Sequence, residues 1–425
     1  LAIAAPQSSA PPSLDEPYPV KRLYAWTVFA MAFGLMMSDY LSRQVINVLF
    51  PFLKADWHLS DTELGSLASV VALVVGIMCV PISFIADRIG LVKSITLMAL
   101  IWAIATIACG FSVNFTTLLI ARAFVGLGEA GYGSAGSAIL AKVFPARLHA
   151  TVMGAFLAAG MIGAVLGVVL GGLLAKYLGW KMSFIVIGLF GLALAICFPF
   201  VVKEPPRTAP AGAPRPSLRV VFRLLFAKRT TIFTFLGVGL GMFLQGAYLA
   251  WMPSFLNRYH GLEPSKAALS SGLLVVCTSI GMIGGGILVD RLSRKNRLNR
   301  LRLSAIYCLG SALVLFLAFS LPAGTLQFFL IGSGLMLSAG FSGPSSAVVA
   351  DLTPSSIHAT SFAVVAMCYT LLGMAPGPVV TGWLGDQIGL QNAMMMVPIV
   401  SVIASGFYFL ALKHYAADRA SFHGE

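Results

Sequence analysis

Four ionisable side chains, Asp39, Arg43, Arg122 and Glu129, sit deep inside long apolar stretches of the sequence. A charge at the centre of a bilayer costs at least about 2.5 to 3.5 kcal/mol on insertion scales, so each must face protein, water or a partner. Asp39 and Arg43 are four residues apart and Arg122 and Glu129 seven apart, spacings that put each pair on one helical face. At about 1.5 Å per residue, Asp39 and Glu129 lie roughly 22 and 20 Å from the same membrane surface, with Arg43 and Arg122 nearer the opposite surface, at about 28 to 30 Å. The four are expected to form one cluster. Burial favours the neutral form of a carboxylate and a nearby arginine favours the charged form, so a carboxylate whose partner leaves can exchange a proton. Glu129 and Asp39 are the expected proton carriers. Arg43 and Arg122, with Tyr40 beside them, are expected as counter-charges or as anchors for an anionic head group, since arginine offers a planar fork to phosphate or carboxylate. Two other readings stand beside this one: a permanently paired network that only orients two helices, and substrate binding without proton movement.

The elements that must position these groups follow from composition. The 425 residues are 58% hydrophobic and 10% charged, with a mean hydropathy of +0.90, whereas a soluble protein carries roughly 25% charged residues. Apolar runs of membrane-crossing length occur at about Tyr24 to Phe52, Thr62 to Ala86, Lys93 to Phe111, Thr116 to Val143, Ala150 to Tyr177, Met182 to Val202, Thr230 to Leu256, Lys266 to Val289, Leu301 to Leu321, Leu326 to Ala350, His358 to Leu384 and Ala393 to Leu412. Twelve spans in an all-α membrane protein are the expectation. Of the 28 Lys and Arg, 21 fall on the side holding both termini, five on the other and two inside spans. The positive-inside rule therefore puts both termini in the cytoplasm, and a bacterial inner (plasma) membrane is the expected location. The net charge of +13 is distributed over these short loops, which argues against a nucleic-acid partner. The six cysteines all lie in apolar runs without CxxC spacing and read as core hydrophobes.

The expected organisation is a disordered cytoplasmic tail over residues 1–22, a six-helix bundle over 23–202, a cytoplasmic linker over 203–229, a second six-helix bundle over 230–413 and a tail over 414–425. The tail lacks an apolar core of the signal-peptide kind. The linker contains Pro205, Pro206, Pro210, Pro214 and Pro216 and then the basic amphipathic stretch from Leu218 to Phe226, which reads as an interfacial helix on anionic lipid.

Two loop sequences recur between the halves. Asp87-Arg88-Ile-Gly90 after the second run is echoed by Asp290-Arg291 after the eighth, and Pro145 to Thr151, ending His-Ala-Thr, by Pro354 to Thr360. Both offsets are near half the chain, as in a duplicated six-helix unit. The Asp-Arg loop resembles the loop signature of the major facilitator superfamily, and Arg122 followed by Gly126 and Gly128 resembles that family's span-4 signature. The resemblance implies a secondary transporter with an alternating-access cycle, in which Asp87, Arg88, Asp290 and Arg291 form a gating latch; the alternative is that they only fix topology. Arg122 to Tyr132, containing Gly128-Glu129-Ala130-Gly-Tyr132, is similar to a segment of spinster-like transporters, which include lysophospholipid and sphingolipid carriers. That subfamily has its span-1 carboxylate three residues from where Asp39 stands here. Sugar-acid symporters share a Tyr-x-x-Arg like Tyr40 to Arg43.

The second half has no deep charge, so its contacts to a substrate must be neutral: Gln245, Tyr248, Ser342 and Tyr369 are the expected ones, with packing against a neighbouring helix as the alternative. Gly160, Gly163, Gly167 and Gly171 in the fifth run predict close helix packing, and Pro376 and Pro378 predict a bend in the eleventh. All six histidines fall in or beside loops, with no metal-ligand or Ser/His/Asp grouping at membrane depth, so neither an enzyme nor a cofactor is expected. The resulting expectation is a monomeric, proton-coupled transporter of an amphipathic lipid such as a lysophospholipid, with a small organic anion as the alternative substrate, a non-transporting receptor as a further reading, the proton as coupling ion, and membrane lipids and the transported molecule as partners.

Overall fold

The computed structural model describes residues 18–204, 225–354 and 358–423, and these contain helices and no strand. The expected tail to residue 17 and most of the linker, with its basic stretch from Leu218, lie outside the described residues; at its end Leu225 is fully buried in a short helical turn.

The first half comprises α1 (Arg22–Trp57), α2 (Asp61–Ile89), α3 (Leu91–Gly110), α4 (Phe115–Glu129), α5 (Tyr132–Val143), α6 (His149–Leu178) and α7 (Trp180–Val201). The second comprises α8 (Arg229–Tyr259), α9 (Pro264–Ser293), α10 (Asn299–Ser320), α11 (Thr325–Ser338), α12 (Ser342–Asp351), α13 (His358–Tyr369), α14 (Pro376–Ile388), α15 (Leu390–Met396) and α16 (Pro398–His423). Among the described residues ten segments are long and apolar enough to cross a bilayer. The two other predicted spans are α1, whose middle carries Asp39, Arg43, Gln44 and Asn47, and the run that divides into α4 and α5.

Four runs of the sequence are interrupted, the eleventh where its prolines predict a bend. The fourth breaks after Glu129 at Ala130 and Gly131, where an added Cβ on Gly131 would come within 2.7 Å of Ile82. The tenth breaks after Ser338 at Ala339 and Gly340, where an added Cβ would come within 2.9 Å of the Tyr307 ring. The eleventh widens into a π-turn over Thr370–Met374, in which the Ala375 amide donates to the Thr370 carbonyl at 2.8 Å. Pro376 follows, and because proline lacks an N–H and crowds the preceding turn, the wider turn absorbs the misfit. The twelfth is interrupted at Val397, before Pro398.

Glu129 and Ser338 are separated by the same 209 residues as His149 and His358. Pro51 in α1 and Pro253 in α8, and the helix-ending His58 and His260, are separated by 202. The breaks after Glu129 and Ser338 therefore stand at equivalent points of the two halves.

Tight packing fixes α1. The glycines of α6 lie along it: an added Cβ on Gly167 would stand 2.7 Å from the Leu41 carbonyl oxygen, and one on Gly160 would press on the Tyr40 ring at 3.0 Å. With hydrocarbon outside, such backbone approach and the van der Waals contact it allows hold membrane helices together. The glycine stripe is thus a packing face, and it holds the part of α1 that carries Asp39 and Arg43.

The halves meet through polar contacts at the end remote from the termini. Asp61 at the start of α2 accepts from Arg258 near the end of α8, Asp386 of α14 accepts from the Asp61 and Thr62 amides, and Lys176 of α6 pairs with Glu263 before α9 at 2.8 Å.

Candidate functional site

The break after Glu129 leaves its carboxylate at the end of α4, facing α1. Arg43 reaches it with Nε at 2.9 Å and Nη2 at 2.7 Å, both on Oε2. The same Nη2 lies 4.0 Å from Oδ1 of Asp39, one turn earlier on α1. Asp39 and Glu129 are buried, while the Arg43 side chain keeps 22% of its surface exposed. Oε1 of Glu129 and Oδ1 of Asp39 are buried and accept no hydrogen bond. One arginine is therefore shared by two carboxylates: Glu129 Oε1 accepts from nothing, and Asp39 Oδ1 has only the long approach of Arg43. Two negative charges against one positive are unfavourable in a low-dielectric site, and a single proton removes the excess. Tyr40 stacks beneath this group, with the Arg43 guanidinium carbon 5.2 Å from its ring centroid. Of the sequence-predicted cluster, the structure brings Asp39, Tyr40, Arg43 and Glu129 together.

Arg122 differs from expectation. It is fully buried, and its guanidinium donates to the carbonyls of Leu67, Ser42 and Arg43 at 3.3, 3.0 and 3.2 Å. It makes no ion pair with Asp39 or Glu129 among the described residues, and with no exposed surface it offers nothing to a head group. Instead its planar fork ties α4 to α2 and to the turn of α1 that carries Arg43. Tyr132, just past the break, likewise anchors α5 by donating to the Ala32 carbonyl at 2.7 Å.

In the second half Gln245 is half-buried and its Nε2 donates to the Ser338 carbonyl at 3.0 Å. Tyr369 donates to the Ser342 carbonyl at 3.1 Å and lies 3.4 Å from the Ser346 hydroxyl, so Ser342 and Tyr369 are neighbours as predicted positions. Tyr248 is not a substrate contact in this arrangement. It is 1% exposed, stacks on Phe319 at 5.2 Å and donates to the Met394 carbonyl at 2.9 Å, which is the packing alternative.

Of the latch residues, the Asp87 side chain lies outside the described residues, and Arg88, Asp290 and Arg291 are exposed. The chain leaves α2, which contains Asp87, by turning at Gly90, with φ at +103°, a conformation that favours glycine. Glu204, beyond α7, then caps α3: its two oxygens accept from the Leu91 and Val92 amides at 2.7 and 2.8 Å. A carboxylate on the positive end of a helix is stabilising.

Sequence reasoning missed the network at the opposite end. Asp61 is 3% exposed and accepts from Lys54 at 2.6 Å and from both terminal nitrogens of Arg258 at 2.7 and 2.8 Å. Asp386 accepts from the Asp61 and Thr62 amides at 2.8 Å each and from the Thr62 hydroxyl at 2.6 Å. A carboxylate of one half thus caps a helix of the other. The available signal was Ser60-x-x-Glu63, a capping box that fixes the start of α2 and hence the place of Asp61.

A family model described as Major Facilitator Superfamily matches residues 32–375. The chain is 24% identical to a hexuronate transporter of Bacillus subtilis, over 86% of this chain and 90% of that protein. It is 24% identical to protein spinster homolog 1 of Xenopus tropicalis, over 92% and 81%. The crystal structure of a bacterial homolog of the human lysosomal transporter spinster, in an inward-facing and occupied conformation, superimposes with a TM-score of 0.85 at 22% identity, covering 94% of this chain and 99% of that one, a likeness of fold. The family match extends from α1 to the π-turn and so takes in both broken helices; this multi-pass membrane protein is a transporter that belongs to the Major Facilitator Superfamily.

Proposed function

We propose that this transporter couples the movement of an organic anion to that of a proton exchanged at Glu129 and Asp39, by alternating access. The observation that carries the reading is Arg43, shared by two buried carboxylates, of which Glu129 keeps an oxygen with no partner and Asp39 only a long contact to Arg43. Arg43 is also the partly exposed member of the cluster, so an anionic head group has a cation to meet there. An anion that takes Arg43 removes the counter-charge of Glu129. A buried carboxylate without a partner is strongly disfavoured, and protonation relieves it. Substrate and proton then load together, and the loaded site carries no excess charge through the closed intermediate. The polar contacts joining the halves at the end remote from the termini support a starting state open at the other end. With both termini cytoplasmic, that state faces inward in a bacterial inner membrane.

A lysophospholipid or related amphiphile with an anionic or zwitterionic head is the first substrate candidate, supported by the likeness to a spinster homolog. The neutral partners in the second half suit a molecule that brings one charged group. A sugar acid or other small carboxylate is the second, supported by the likeness to a hexuronate transporter. Thermal-shift titration of the purified chain with lysophosphatidylglycerol and with glucuronate separates them, because only the true class raises the midpoint in a saturable way that Arg43→Gln abolishes.

Proton coupling is tested in liposomes. Glu129→Gln is expected to fold, to keep exchange of labelled substrate across a membrane without a gradient, and to lose uptake driven by a pH gradient. A Glu129→Gln protein whose uptake follows the pH gradient as wild type does would remove Glu129 from the mechanism.

A further inference from the structure

A second basic site lies away from the Arg43 cluster, on the face that carries both termini. Between the start of α10 and the end of α16 is a cavity of about 410 Å³, bordered by Asn296, Arg297, Tyr415, Ala416, Arg419 and Ala420. The alanines leave the room that the arginines face. Arg419 makes no hydrogen bond or ion pair among the described residues, and its Nε is buried without a partner, as is Nε of Arg300 behind it. The acid at the back is Asp351, which accepts from Arg297, Arg300 and the Tyr415 hydroxyl. Among the described residues at and behind it, three arginines against one carboxylate leave two positive charges, whereas the buried Arg122 is satisfied by three carbonyls. A cavity with unmatched guanidinium groups fits an anion.

Depth narrows the class. One wall, residues 296–298, lies just before the apolar segment Asn299–Ser320 and the other lies in the last turns of Leu390–Ala420, so the cavity opens at the polar edge of the membrane-crossing region. Lipid phosphates lie at that level, and basic pockets between membrane helices at this face bind anionic head groups. We propose that this cavity binds a phosphate-bearing anion at the membrane surface, with Arg419 and Arg297 as its direct partners. Its occupant supplies the counter-charge that the fold leaves out and links α10 to the C-terminal helix α16. The site is independent of the transport reading, since it touches none of the residues around Arg43.

The test uses the full chain, delipidated in detergent, with three probes: phosphatidylglycerol, phosphatidylcholine and inorganic phosphate. Native mass spectrometry should show phosphatidylglycerol retained by wild type and phosphatidylcholine washed away. Arg419→Gln, which removes no hydrogen bond or ion pair among the described residues, should weaken retention roughly fivefold, the worth of one basic residue at the surface, and Arg419→Lys should restore part of it. Displacement of the lipid by millimolar inorganic phosphate identifies a free anion as a sufficient ligand, whereas resistance to it identifies the lipid head group; both support an anion site. Equal retention of the two lipids, or equal retention by wild type and Arg419→Gln, overturns the proposal.

Discussion

At the break after Glu129 the first half places a carboxylate, answered from α1 by Arg43; at the equivalent break after Ser338 the second half places a hydroxyl, and Gln245, at the position equivalent to Arg43, answers with an amide to the Ser338 carbonyl. Arg122, which ties three helices together, corresponds to the fully buried Ile331, and Tyr132 to Phe341. The broken helix and a bridge to it from the first helix of each half are therefore what the architecture requires. An amide meets that requirement, so the charge in the first half serves something beyond architecture. An ion pair in this setting is weak evidence for stability and better evidence for a switch.

Breaking the comparison gives the largest effect. Arg43→Ala leaves Glu129 buried against no cation and should destabilise the first half by about 3–5 kcal/mol, read as folded yield and thermal midpoint in detergent. Adding Glu129→Gln to it should recover most of the loss, and a double variant no better than the single would mean that Arg43 acts through packing alone. Next comes the backbone approach that holds α1: Gly167→Val pushes a side chain toward the Leu41 carbonyl and should cost about 1–3 kcal/mol in the same assay. Gly343→Ala in α12, whose Cβ meets nothing within 4 Å, is the matched control and should leave the midpoint unchanged. Gln245→Leu removes one neutral hydrogen bond and should cost about 1 kcal/mol, well below Arg43→Ala; equal costs would erase the distinction between the halves.

The smallest effect joins the halves at the surface. Lys176 donates a hydrogen bond to Glu263 and holds its carboxyl below the ordinary value of 4.5. A carboxyl lowered on folding contributes its stabilisation above the unfolded value and loses it as pH falls through the folded one. The pair is solvent-exposed, so Glu263→Gln should shift the midpoint slightly at neutral pH, and the difference should vanish in acid.

The twelve apolar runs were legible because lipid admits few alternatives to a continuous apolar helix. The breaks were not, since Gly131 and Gly340 matter through neighbours, Ile82 and Tyr307, that are distant in sequence. At the site, depth arithmetic picked out Asp39, Arg43 and Glu129 but treated Arg122 as their equal. Arg122 shares the face of Glu129 but stands two turns along it, about 10 Å away, where it meets three carbonyls in place of a carboxylate. Tyr248 takes the packing alternative that its sequence position left open. Asp61, Arg258 and Asp386 were passed over because hydropathy assigns helix-end charges to the loops, and Asp61 and Asp386 come together only when two segments 325 residues apart are stacked.

The hold of Asp386 on the first amides of α2 bears on how fast the protein could cycle. Those amides are at a helix terminus, and when the carboxylate withdraws water can bond to them in its place. Arg258 and Lys54 are likewise partly solvated already, with 25% and 42% of their side chains exposed. Separation at this end exchanges one set of hydrogen bonds for another of similar strength. The seal is thus specific in geometry yet shallow in energy, so the alternating-access cycle proposed above would meet no deep trap at this end.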